Sequence, residues 1–426
     1  MTAGRKVAAM SRNFRIFAFA AVVFWAVGAM NDATVMYVLA GVCLAVILTS
    51  YLLAQLAMAR LRPELSLPPG PAHAGAPIRP RLTVRSVGSI TVGSAEVAVS
   101  ARNLTVEGSD VARRVLLPPM PPGAELETPL ELSPPTRGRY ALGPPVLIDS
   151  DPIGMFEPHR AFGEPIEIVA FPRTYELPRV AAWDTGYGRQ FARARQMRRD
   201  QGEFRGIREH TPGDDLRHVH WKVTAHVGEL AVKEYEPLRH DLISIHLDLS
   251  GANHYGVGEL STLETTVSAA ASIARAGLAE QRSVAVHGDS LPAELGRGGG
   301  GQAQMQRIMV SLAEVRAAGA HSFAAALARQ LRSVPRGATI FVITTAAEDA
   351  LARVLTAGSG TASGVTLLIV EGDLAAADDR FVVVPRRVGE MALGAGIAVG
   401  TLRSAANVAE ALTLAGTPAP VPVGAM

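Results

Sequence analysis

The residues with the greatest capacity for chemistry crowd into one stretch. Between Gly202 and Glu236 stand His210, Asp214, Asp215, His218, His220 and His226, interleaved with Arg205, Arg208, Arg217, Trp221 and Lys222. Imidazoles and carboxylates are common ligands of divalent transition metals. Val219, Trp221 and Val223 alternate with His218, His220 and Lys222, which predicts a strand with His218 and His220 on one face. With His210, Asp214 and His226 that pair would make a metal site, and the chain a metal-dependent hydrolase. The same residues also read as a salt-bridged hairpin, with Arg205, Arg208 and Arg217 forked onto Glu209, Asp214 and Asp215. Thr211-Pro212-Gly213-Asp214 and Val227-Gly228-Glu229 would be its turns. The structural network needs no further ligand and is the preferred reading.

A second cluster is purely cationic: Arg189, Arg193, Arg195, Arg198 and Arg199, with no acid before Asp200. Such a run suits phosphate groups of nucleic acid or anionic lipid, and equally a solvated linker helix. Aromatic residues are only 5% of the chain, and no nucleic-acid-binding signature accompanies the arginines. Nucleic acid is therefore not expected, and an anionic lipid surface stays as the alternative. Elsewhere, Ser250 lacks the elbow of a hydrolase nucleophile. Gly298–Gly301 lacks the following Lys and Ser or Thr of a phosphate-binding loop and reads as a mobile loop before a helix at Gln304. Gly394-Ala-Gly-Ile-Ala-Val-Gly is one residue too long for a dinucleotide fingerprint. No nucleophile–base pair stands out, so the chain is read as a non-enzyme without a cofactor.

The elements that must position these residues follow from patterning. The chain has 426 residues, one cysteine (Cys43) and a formal charge of +2; its mean hydropathy is +0.20. A disulfide framework and a multi-cysteine metal centre are excluded, and so is a disordered polyelectrolyte. The apolar excess lies at the start, in Ile16–Met30 and Val35–Ala59. The second run is long enough to cross a bilayer, the first reaches that length with Phe14 and Arg15, and only Asn31-Asp32-Ala33-Thr34 separates them. Two spans joined so tightly predict an antiparallel transmembrane hairpin over 1–62, against the competing reading of the first run as a signal peptide. Arg5, Lys6, Arg12 and Arg15 before it and Arg60 and Arg62 after it place both ends in the cytoplasm.

Residues 63–80, rich in Pro and Gly, read as a linker. From 81 to 180, short β-branched runs such as Leu82–Val87, Ala95–Ala101, Val111–Leu117 and Ile166–Phe171 predict a β-sandwich-like domain. Residues 181–241 hold the polar clusters above. From 242 to 415, strands at Leu242–Leu249, Val284–Val286, Ala338–Thr345, Val365–Val370 and Phe381–Val384 alternate with helices near 260–278, 304–317, 322–331, 348–355 and 405–414. That predicts a doubly wound α/β domain. Residues 416–426 read as a disordered tail.

Several motifs are similar to those of the bacterial family called domain of unknown function 58. They are Glu203-Phe-Arg205-Gly-Ile-Arg208, Pro212-Gly213-Asp214-Asp215-Leu-Arg217 and His220-Trp221-Lys222, with Arg137-Gly-Arg-Tyr-Ala-Leu-Gly-Pro144, Asp151-Pro-Ile-Gly-Met-Phe156 and Phe171-Pro-Arg173 upstream. The chain departs from the pattern at Thr224-Ala225-His226, where the family carries Ser-Ala-Arg. The resemblance implies a von Willebrand factor A-like α/β domain, whose metal-ion-dependent adhesion site is Asp-x-Ser-x-Ser with a later Thr and Asp. Here Asp248 and Ser250 are kept, Ala252 replaces the second Ser, and Thr344-Thr345-Ala346 lacks the Asp. The adhesion site is thus degenerate: Mg²⁺ on Asp248 and Ser250 is the weaker reading, and a turn held by Asp248 the stronger. The resemblance further implies an inner-membrane scaffold or adaptor facing the cytoplasm, partnered by a MoxR-type AAA+ ATPase, with a link to a transglutaminase-like membrane protein and to envelope assembly. In that reading Asp248 and Ser250 line the docking face, and Arg205, Arg208, Asp214, Asp215, Arg217 and Trp221 brace the preceding hairpin.

Overall fold

The computed structural model describes residues 11–68, 70–148, 153–177, 203–209, 219–236, 242–319, 322–345, 349–360, 362–371, 390–393 and 397–415. Contacts divide the chain into two units, Met1–Phe171 and Pro172–Met426. The arginine run, His210, the turn Pro212-Gly213-Asp214-Asp215, Arg217, His218, the strand expected at Phe381–Val384 and the 416–426 tail lie outside the described residues. So do the side chains of Arg205 and Arg208.

The first unit opens with α1 (Arg12–Asn31) and α2 (Thr34–Arg60), both long and apolar enough to cross a membrane. Only 11% of each apolar window is buried, which sets these helices apart from the core helices of a globular domain. Ser11 caps α1 by accepting from the Phe14 N–H, and Asp32 ends it in the left-handed region. The chain then doubles back so closely that a Cβ on Gly28 would stand 3.2 Å from Met36 Cβ.

Two sheets follow. In the smaller one, β1 (Leu61–Ser66), β3 (Arg81–Ser86) and β6 (Glu125–Pro129) run antiparallel in the order β1-β3-β6. The larger one takes the order β2-β10-β7-β4-β8-β9. Its strands are β2 (Ala72–His73), β4 (Ala95–Asn103), β7 (Gly138–Leu142), β8 (Val146–Ile148), β9 (His159–Ala161) and β10 (Ile166–Phe171), with β5 (Val111–Leu117) on the other edge of β4. Leu61, Leu82, Val84, Val97, Val99, Leu117, Tyr140, Leu142 and Leu147 form one core between the sheets. The expected linker is corrected here. Residues 61–66 are a strand continuous with α2, and 72–73 pair with β10. Pro63 is tolerated because β1 is an edge strand, where a missing N–H breaks no central ladder. The Arg137-to-Leu142 motif works inside this core. Arg137 is wholly buried, which lowers its guanidinium pKa to about 9, and the Tyr140 hydroxyl donates to the Thr136 carbonyl at 2.9 Å.

In the second unit β11 (Glu203–Glu209) pairs antiparallel with β12 (Ala231–Glu236). The strand expected at Val219–Val223 is corrected to a helix, α3 (Trp221–Val227). The His220 Nδ1 accepts from the Val223 N–H, Gly228 closes the helix in the left-handed region, Val219 bridges to Val232, and the His220 N–H donates to the Ala231 carbonyl at 2.8 Å. A local cap overrides the two-residue alternation.

The main body is a five-stranded parallel sheet in the order β14-β13-β15-β16-β17. The strands are β13 (Leu242–Leu247), β14 (Ser283–His287), β15 (Thr339–Thr344), β16 (Gly364–Val370) and β17 (Ala398–Leu402). On one face Ile243 lies under α4 (Thr262–Ala279), whose Val267, Ala270, Ala271, Ile273 and Ala274 are fully buried. Ser261 caps α4 by accepting from Leu263 N–H, and Glu264 stands three residues on, as in a capping box. On the other face α6 (Phe323–Leu331) and α7 (Asp349–Ser359) pack on Ile340, Val342, Leu367 and Ile369. The edge helix α5 (Gly301–Glu314) starts at Gly301 rather than Gln304, and Gly299 accepts from the Val284 N–H at 2.8 Å, sealing the edge of β14. The fifth strand comes from the glycine-containing run set aside as a fingerprint and leads into α8 (Val408–Ala415).

Candidate functional site

A parallel sheet turns its open crevice toward the carboxyl ends of its strands, at the point where successive connections leave in opposite directions. Here that point lies between β13 and β15, since the chain passes from β13 to β14 on one side and to β15 on the other. Asp248 follows β13 at this point and Thr344 ends β15, so sheet topology brings together residues 96 apart.

Asp248 has no accessible surface. Its Oδ1 accepts from the Ser250 N–H at 3.0 Å. Its Oδ2 accepts from Asn253 Nδ2 at 2.9 Å and from the Thr344 hydroxyl at 2.8 Å. Around this centre the loop is tied down again. His254 Nε2 donates to the Asp248 carbonyl at 2.8 Å, which leaves Nδ1 to accept from Thr262 at 3.1 Å. The Thr345 hydroxyl donates to the Asn253 carbonyl at 2.6 Å, and the Tyr255 hydroxyl donates to the Glu371 carbonyl past β16. Ser250 bridges Gly319, with the Gly319 N–H on the Leu249 carbonyl at 3.0 Å. Arg173, from the Phe-Pro-Arg motif, pairs with Glu259 at 2.5 Å.

The loop so fixed carries two large apolar side chains into solvent, Val257 at 78% and Leu260 at 67% exposed. Gly256 makes the bend just before them. It sits at φ +84°, and a Cβ there would fall 2.7 Å from the Leu260 carbonyl oxygen, so only glycine closes this turn without strain.

The site does not fit Mg²⁺. An octahedral oxygen shell needs carboxylate lone pairs and hydroxyls facing one open point. Both Asp248 oxygens are instead taken by protein donors, the Asn253 amide points its N–H₂ inward, and Ala252 offers no hydroxyl. Among the described residues no group of three His, Cys, Asp or Glu is placed to hold a metal. In the signature segment, His220 is spent as a helix cap and His226 lies in the last turn of α3, so the strand expected through His220 is replaced by a helix; His218, its expected partner, lies outside the described residues. Trp221 is 66% exposed on that helix. An indole so placed supplies no buried brace.

Asp248 and Ser250 were legible in the sequence, and Thr344 through the adhesion-site pattern alone; Asn253, His254 and Thr262 were not. Their signal was their position at the tip of β13 and in the next helix's first turn, which emerges only with the strand order.

A second polar pair lies inside the sheet. His246 and His287 stack with ring centroids 4.5 Å apart. His246 Nδ1 donates to Gln330 at 2.9 Å, and Nε2 accepts from Ser244 at 3.0 Å. Burial, then the neighbouring imidazole, lowers the His246 pKa to about 3; burial lowers that of His287 to about 4.

Residues 206–374 match the model of a family described as protein of unknown function DUF58. No curated protein matches. Among solved structures, a β-glucosidase from Listeria innocua in complex with gluconolactone aligns at 13% identity and TM-score 0.18, over 26% of this chain and 16% of its own. A β-glucuronidase from Bacteroides uniformis aligns at 10% identity and TM-score 0.19, over 80% of this chain and 35% of its own. The chain thus spans 35% or less of their lengths, and at these scores neither likeness carries an argument.

Proposed function

With residues 206–374 matching the DUF58 family model, we propose that the chain is a membrane-anchored docking protein of that family whose parallel-sheet domain binds a protein partner at the carboxyl ends of its strands. The observation that carries this reading is the pinned loop from Ser250 to Ser261. Its polar groups are spent on holding the backbone, and Val257 and Leu260 are left facing water. An exposed apolar pair on an ordered loop is a suitable anchor for an interface. The family resemblance supplies the partner class, a MoxR-type AAA+ ATPase, and the fold comparison to a von Willebrand factor A-like domain with a degenerate adhesion site. It also links the complex to a transglutaminase-like membrane protein and envelope assembly. The arginines flanking the two apolar runs support a cytoplasmic side for the docking domain. In this reading the chain is an adaptor and not an enzyme, and the ATPase brings the energy.

Binding of the detergent-solubilised full chain to the MoxR-type ATPase of the same genome, with and without ATP, tests it. V257D/L260D should weaken capture at least about tenfold, since two apolar anchors are replaced by charges that the interface must desolvate. Unchanged capture by this variant contradicts the proposed surface.

A further inference from the structure

β1 begins at Leu61 with no break after α2. α2 has 27 residues, about 40 Å at 1.5 Å per residue, against a hydrocarbon layer of about 30 Å. The surplus is its last turns, where Ala54 is buried and Met58 joins the core of the β layers. The root of β1 therefore stands at the level of lipid headgroups.

At this level a groove of about 580 Å³ opens, lined by Arg62, Glu64, Arg85, Val87, Phe162 and Glu164 among others. That volume lies within the roughly 300–1,000 Å³ of small-molecule sites. Its charge has both signs. The Arg62 guanidinium lies over the Phe162 ring, 5.8 Å from the centroid. Arg160 also lies over that ring, at 5.0 Å, and donates to the Met58 carbonyl at the end of α2. Arg85 is held by Glu125 at 3.1 Å. Glu64 and Glu164 are exposed. A purely anionic headgroup would meet two carboxylates here, whereas a headgroup carrying a phosphate and a primary ammonium finds an opposite charge for each.

We infer that this groove binds the phosphoethanolamine headgroup of a membrane lipid, the phosphate on Arg62 and the ammonium on Glu64 and Glu164. The inference rests on the membrane-anchored reading and adds a lipid specificity to it. The test reconstitutes the full chain into phosphatidylcholine vesicles containing equal amounts of phosphatidylethanolamine and phosphatidylglycerol, then identifies retained lipid by native mass spectrometry. The wild type should retain phosphatidylethanolamine over both others. E64Q/E164Q should lower that retention about fivefold and shift it toward phosphatidylglycerol, and R62Q should lower retention of both. These side chains are exposed, and unchanged melting temperatures verify that the variants fold. Insertion with no headgroup preference, or a preference untouched by E64Q/E164Q, overturns the groove alone. Release of the wild type from the vesicles by alkaline carbonate overturns the anchor and the groove with it.

Discussion

Asp248 shows how one residue type can serve two ends. A carboxylate at the tip of a parallel strand is where an ion-binding sheet would hold its cation, and the sequence reading allowed that use. In this structure the Asn253 amide and the Thr344 hydroxyl both donate to its Oδ2, occupying lone pairs on which a cation would draw. The Thr344 contact depends on the β13–β15 pairing across 96 residues, whereas Asn253 stands only five residues on in the same loop and carried no signal by its residue type alone. The stacked histidines, also unforeseen, carry a pH dependence. Both folded-state pKa values, about 3 for His246 and about 4 for His287, lie below the ordinary value of 6.5, so the unfolded chain binds more protons over that window. Stability from these groups is complete above about pH 6.5 and is lost as pH falls toward 4 and then 3. The melting temperature of the full chain in detergent should fall across that range, and H287Q should remove part of the fall. An acid limb identical in H287Q would show that the pair does not titrate as described.

Elements with long, regular patterns were legible: α1, α2, α4, the strands β4, β5, β10, β13, β15 and β16, and the alternation that makes the second unit an α/β sheet. Short elements governed by tertiary partners were not. Pro63 argued against a strand, yet β1 uses it on a sheet edge. The Val219–Val223 alternation argued for a strand, yet the His220 cap and Gly228 make α3. β17 hid within a glycine-containing run whose purpose is packing. A Cβ on Gly400 would lie 2.6 Å from the Ala411 carbonyl oxygen in α8, so glycine lets the last helix settle on the edge strand. G400A should cost about 1–3 kcal/mol through this overpacking, read as a lower melting temperature. No change would mean that α8 does not rest on β17.

At the scale of the whole chain, the first unit joins two apolar helices to a β core, and the second, within which residues 206–374 match the DUF58 model, is a parallel-sheet unit with its crevice at the strand tips. The parallel sheet has two chemically distinct ends. The carboxyl end carries Val257 and Leu260 on a pinned loop; the amino end carries the exposed Arg336 in the turn before β15. The account therefore predicts a polarity of binding. A photo-crosslinking amino acid placed at position 257 or at position 336 of the full chain, activated in the presence of the MoxR-type ATPase, reads that polarity directly. Crosslinking to the ATPase from 257 and not from 336 is the predicted result, and crosslinking from 336 alone would contradict the account.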